Sequence, residues 1–140
     1  MPGYDFMKPT EAIRIYIDAW NGRDAEALVA AFAEDGKFCN PHTYPGIGGE
    51  ALAEFVKGVW TAFPDFHLEL LNCGEIEPEL VAIHWSLQGT NTGQRMEGPP
   101  TGRSVSIKGA SIIRLEGDKI ISDQCYFDRA AFEEQLQPKD

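Results

Sequence analysis

The chain has 140 residues, 43% of them hydrophobic, which suits one globular domain spanning residues 1–140 with a sizeable core and leaves nothing over for a second. Twelve Lys and Arg against twenty-two Asp and Glu leave a net charge of −10, which repels nucleic-acid phosphates and anionic membranes. An uncharged or hydrophobic small molecule is the expected partner, with no nucleic acid and no membrane.

The opening stretch MPGYDFMKP has no apolar core of signal-peptide length, and no later run approaches the roughly 20 apolar residues of a membrane span, so a cytoplasmic location is expected. From Thr10 to Asn21, Ile13, Tyr16, Ile17 and Trp20 recur at helical spacing, and Asn21-Gly22 supplies a stop. Asp24 is placed to cap a short second helix, with Leu28 and Phe32 as its apolar face. A short strand is expected at 37–40, stopped by Pro41. Beyond the loop PHTYPGIGG, Leu52, Phe55, Val56, Val59 and Phe63 form the stripe of a third helix, ended by Pro64.

The second half alternates like strands at about 66–73, 80–92, 104–115 and 119–127, with turns at 74–79, in the stretch GTNTGQRMEGPPTGRSV, and at Glu116-Gly117-Asp118. Helices first and strands afterwards, joined by hairpin-length links, predict an α+β fold: three N-terminal helices packed on a curved, mostly antiparallel sheet that wraps as a cone.

Common motifs give little chemistry. Gly46-Ile47-Gly48 with Ala51 spells a dinucleotide fingerprint, but it follows no buried strand and the chain lacks a parallel βαβ frame. His42, His67 and His84 lie on separate elements without metal-ligand spacing, so no metal is expected, and no G-x-S-x-G elbow exists. Cys39, Cys73 and Cys125 read as reduced, buried thiols. His42 remains a candidate because it sits in a loop beside Asn40 and Pro41, where its ring can face a cavity. In the last strand Ile121, Asp123, Cys125 and Phe127 share one face. If that face lines a cavity, Asp123 is a carboxylate in apolar surroundings, the condition that raises a pKa towards neutrality and makes an acid/base.

The run GTNTG, PPTGR, Leu115-Glu116-Gly117-Asp118-Lys119-Ile120, Asp128 and Glu134-Gln135-Leu136, preceded by Trp20-Asn21-Gly22, Asn40-Pro41 and Ala62-Phe63-Pro64-Asp65, resembles the SnoaL-like polyketide cyclases over nearly the whole chain. The resemblance implies the cone-shaped barrel of nuclear transport factor 2 and the ketosteroid isomerases, no cofactor, and a homodimer formed through the outer face of the sheet. On this chain that outer face would carry Ser104, Ser106, Lys108 and Ala110. The family closes a polyketide ring by an intramolecular aldol reaction, using an Asp on the last strand and a His on the strand before. Aligned through Gly117-Asp118-Lys119-Ile120 and Gln135-Leu136, with one extra residue at Asp118, that Asp falls on Cys125. Aligned from Pro100-Thr101-Gly102-Arg103, the His falls on Ser111, and the His of the Gly-Thr-His-Thr-Gly pattern falls on Asn91. The kinship with ketosteroid isomerases places their oxyanion-stabilising tyrosine at Tyr16 and their general-base Asp at Asn40.

The expected function is therefore binding of a hydrophobic, carbonyl-bearing molecule and acid/base chemistry of the aldol or enolisation type. Asp123 would serve as displaced base, Tyr16 as oxyanion donor and His42 as a further proton-handling group. Trp20, Phe32, Phe38, Phe55, Val59, Phe63, Trp85 and Phe127 would wall the cavity, with Asn40, Asn91, Ser111 and Cys125 among the ligand contacts. The alternative is a non-catalytic binder that uses Asn40, Asn91 and Ser111 as hydrogen-bonding groups. A filled core without a cavity would mark a pure assembly domain.

Overall fold

A computed structural model describes residues 7–138, so most of the N-terminal stretch MPGYDFMKP lies outside the described residues. The order is α1 (Met7–Gly22), α2 (Ala25–Ala30), β1 (Phe32–Cys39), α3 (Gly49–Ala62), β2 (His67–Glu77), β3 (Leu80–Thr90), β4 (Ser104–Glu116), β5 (Lys119–Tyr126) and α4 (Arg129–Gln135). Among the described residues, no helix is long and apolar enough to cross a membrane.

The stripe of α1 behaves as its spacing predicts: Ile13, Tyr16, Ile17 and Trp20 are all buried. Each such side chain taken from water contributes about 1.5–3 kcal/mol before entropy is counted. The helix ends on Arg23, whose left-handed backbone (φ 54°) is offset by its guanidinium. That group donates to the carbonyls of Pro64 (2.7 Å) and Phe66 (2.8 Å), fastening the α1–α2 corner to the start of β2. Asp24 caps α2 as expected, accepting from the Ala27 amide at 3.0 Å. Phe32 does not belong to that helix. The Ala31 carbonyl accepts from Ile120 N–H, so the chain is already in the sheet, and β1 begins five residues before the expected start at Lys37.

The sheet is mixed and runs β1-β5-β4-β3-β2. Three of its pairings are antiparallel, and β1 lies parallel to β5. The α+β architecture is the one expected, and the sheet stays open between its edge strands β1 and β2, which satisfy some of their backbone groups by other means. Asn21 on α1 donates to the carbonyl of Leu68 and accepts its amide, both at 2.8 Å. Phe38 on β1 exchanges backbone bonds with Ile47 of the following loop at 2.8 and 2.9 Å. The β2–β3 hairpin is also tighter than the expected turn at 74–79, since β2 runs on to Glu77 and Glu79 takes the left-handed conformation (φ 65°).

Two details position the site. Arg114 pairs with Ser122 and Leu115 with Ile120, so Ile121 is the extra residue of a bulge. The bulge resets the alternation: Ile120 and Asp123 both point into the core, at 1% and 3% exposure, and Ile121 is only half-buried. At the C-terminus, α4 is an element that the strand-dominated second half did not announce. Asp128 caps it through the Ala131 amide (3.0 Å), and Gln135 binds both backbone groups of Ser106 (2.7 and 3.2 Å). That amide takes the place of a strand where β5 has ended and β4 has not.

Candidate active site

Between the inner face of the sheet and the helices lies a cavity of about 180 Å³. Asp123 lines it. Its carboxylate Oδ2 accepts a 2.7 Å bond from the Tyr16 hydroxyl, and its buried Oδ1 has no hydrogen-bond partner among the described residues. Burial raises the Asp123 pKa to about 6, against the Tyr16 bond and the nearby Ser111 hydroxyl, which both favour the charged form. Tyr16 is itself pushed well above its ordinary value, first by burial and then by the Asp123 charge, so it stays protonated and stays a donor. The single phenolic proton is committed to Asp123. Tyr16 therefore holds the Asp123 carboxylate in place, its one donor taken up by that bond.

One strand over, Ser111 is 2% exposed and sits opposite Cys125. Its hydroxyl oxygen accepts from the Trp85 indole N–H at 3.0 Å. The indole lies where it does because its partner on β4 is Gly109, at which a Cβ would come within 2.4 Å of the ring. Burial, reinforced by the Asp123 charge, pushes the Cys125 thiol far up. A thiol so disfavoured as thiolate is a poor nucleophile and a poor base.

The rim comes from loops and α4. Asn40 spends its side-chain oxygen on the turn, accepting from the amides of His42 (2.8 Å) and Thr43 (3.0 Å). Its Nδ2 has no acceptor among the described residues. His42 lines the cavity with 19% of its side chain exposed, its ring 5.8 Å from that of Phe127 and 5.7 Å from that of Phe132. Nε2 of His42 lies 3.5 Å from the Glu133 carboxylate on α4.

The cavity thus gathers the expected Asp123, Tyr16, His42, Trp20, Phe38, Asn40, Phe55, Val59, Phe63, Trp85, Ser111, Cys125 and Phe127. Two expected contacts are elsewhere. Phe32, at the start of β1, packs edge-on behind Tyr16 with ring centroids 5.5 Å apart, a core position set by the strand pairing. Asn91 is fully buried beneath the β3–β4 loop. Its amide donates to the carbonyls of Ala62 (2.9 Å) and Gly93 (3.0 Å) and accepts from the Thr101 N–H (2.9 Å), so nothing is left for a ligand.

The lining also includes residues outside the expected set, among them Phe132 and Leu136 of α4 and Arg95 of the β3–β4 loop. The i, i+4 spacing of the first two after the capping residue Asp128 was a usable helix signal. A lone Arg in a Gly/Pro-rich loop gave none.

Comparison with known proteins adds a family and a fold. Residues 10–136 match the SnoaL-like polyketide cyclase family. Among solved structures, a candidate SnoaL-like polyketide cyclase from Jannaschia sp. CCS1 superposes with a TM-score of 0.82 at 17% identity, covering 96% of this chain and 94% of that one. AclR, a candidate hydroxylase from Streptomyces galilaeus, gives 0.80 at 20% identity, covering 96% and 85%. A protein from Catenulispora acidiphila with a ketosteroid isomerase-like fold, in complex with trimethylamine, gives 0.75 at 21% identity, covering 90% and 92%.

Proposed function

The chain belongs to the SnoaL-like polyketide cyclase family, and from that premise we propose that it takes a hydrophobic, carbonyl-bearing molecule into this cavity and removes a proton from the carbon beside the carbonyl. The observation that carries the reading is Asp123: a buried carboxylate with one oxygen held by Tyr16, the other unpartnered, and a pKa of about 6. Such a group is mostly ionised at neutral pH yet basic enough to accept a proton, the balance that general-base catalysis needs. Oδ1 takes the α-proton, the C–H electron pair becomes the enolate, and negative charge collects on the substrate oxygen. Asn40 Nδ2, free of other acceptors, is the donor at hand for that oxygen. His42, held beside Glu133, is the second group able to return a proton, to carbon in an isomerisation or to the new alkoxide in an aldol closure.

The binder without chemistry draws support from the family's two acid/base positions. Ser111 is engaged by Trp85, and the Cys125 thiol is locked in its neutral form, so neither replaces the expected Asp and His. Deuterium exchange separates the two readings. Aromatic ketones and β-keto esters are incubated with the protein in D2O, and label at the α-carbon is followed by NMR. Exchange that the protein accelerates, and that Asp123→Asn abolishes, supports the enzyme. A ligand bound without acceleration, or exchange unchanged by that substitution, removes Asp123 from the role.

We also propose that two copies pair through the sheet's outer face, where Ser104, Ser106, Lys108 and Ala110 are exposed along β4.

A further inference from the structure

The Asp123 carboxylate lies at one end of the cavity, and a loosely paired cation lies at the other. Asp123 pairs with Ile113, which pairs with Val81, whereas the loop between β3 and β4 opens after the pair Thr90 and Ser104. Nine residues of β3 separate the two levels, at most about 30 Å of strand. At the far level, Arg95, Met96 and Glu97 of the loop line the rim.

Among the described residues, Arg95 is the one permanently cationic side chain lining the cavity, in a protein with a net charge of −10. It is four-fifths covered, with 19% side-chain exposure. Its loop fixes it from both sides. The backbone of Arg95 exchanges hydrogen bonds with Gly98 at 3.0 and 3.3 Å, and Nε reaches the Pro99 carbonyl at 3.5 Å. What it lacks is a matched anion. Its nearest carboxylate, Glu97, stands 3.8 Å from Nη1 and is 62% exposed, and Nη2 has no partner among the described residues. A guanidinium drawn into a cavity rim with its outer nitrogen unspent is a fork suited to a planar, two-oxygen anion. Beside it, Met96 is 92% exposed, a flexible apolar lip for whatever passes.

We infer that the ligand of this cavity is an elongated amphiphile, an apolar body with the reacting carbonyl towards Asp123 and a carboxylate or comparable delocalised anion at the opposite end, paired with Arg95. The inference rests on the cavity being the ligand site, as proposed above, and adds the polarity of the ligand and the direction in which it enters. Glu97 then acts as a placeholder, which the incoming anion displaces into solvent.

Biphenyl-4-carboxylate and its neutral isostere biphenyl-4-carboxamide test this by calorimetry, without turnover. The acid should bind on the order of tenfold more tightly than the amide, the usual scale for a charge-assisted bond. Arg95→Gln should bring the two affinities together, and Glu97→Gln should widen the gap by removing the competing carboxylate. Asp123→Asn should leave the acid-to-amide ratio above one. Equal binding of both probes to the parent protein, or a ratio unmoved by Arg95→Gln, overturns the assignment while leaving the cavity as a site. If neither probe binds, the assignment and the cavity reading fall together.

Discussion

Replacing Asp123 by Asn should make this protein more stable at neutral pH and less stable in acid. The carboxyl's folded-state pKa, about 6, lies above the ordinary 3.8, so the folded state holds this proton more tightly than the unfolded state does. Its favourable contribution is fully present below about pH 4 and is lost as pH rises through 6. Above that, the parent carries the cost of a buried charge, roughly 3 kcal/mol from about two pKa units at 1.36 kcal/mol each. Asn carries no such charge, and its side-chain oxygen can still accept from Tyr16. Its amide nitrogen meets no partner where Oδ1 had none, which costs about 1 kcal/mol at every pH. The net expectation is a gain of about 2 kcal/mol near pH 7.5 and a loss of about 1 kcal/mol near pH 4. At roughly 3 °C per kcal/mol for a domain of this size, the melting curves of parent and variant should cross between those values. Calorimetric scans across the range measure it. A variant equally stabilised at both ends, or destabilised at both, refutes a buried, charge-penalised Asp123.

Two further substitutions probe neighbouring parts of the same floor. Tyr16→Phe removes a bond that favours the ionised carboxylate, so the inflection of any Asp123-dependent rate, or of its carboxyl carbon shift by NMR, should move upward from about 6; an unmoved inflection means the 2.7 Å bond does not form in solution. Gly109→Ala places a methyl inside the space of the Trp85 ring and should cost about 1–3 kcal/mol, with a changed tryptophan emission as the indole leaves Ser111. Unchanged emission and stability would show that Trp85 does not lie across β4.

The sequence was most informative where chemistry and periodicity coincide. Helical spacing put Tyr16 on the buried stripe of α1, and strand alternation put Asp123 with Cys125 on one face. Their direct bond joins residues 107 apart, a separation no local pattern encodes. Phe32 shows the reverse problem. Four residues after Leu28 it fits a helix face, and only pairing with Ile120 makes it a strand. Asn91 lies in a motif that suggests a ligand group, whereas three backbone partners consume its buried amide. At the sheet edge the same kind of long-range pairing operates: the Asn21 side chain occupies the backbone groups of Leu68, 47 residues away.

The amide of Asn91 has a consequence for how this fold can vary. Its hydrogen bonds staple the β3–β4 loop at its root, to Gly93 and Ala62 on one side and to Thr101 on the other. The Gly93 amide adds a second bond to the same Ala62 carbonyl, so close to α3 that any Cβ there would strike the Thr61 oxygen. With both ends of the loop clamped, residues 94–100 can change in length and composition without shifting the register of β3 on β4. They form an exchangeable cartridge, in which the rim of the cavity can drift while its floor, carried by other strands, is left untouched.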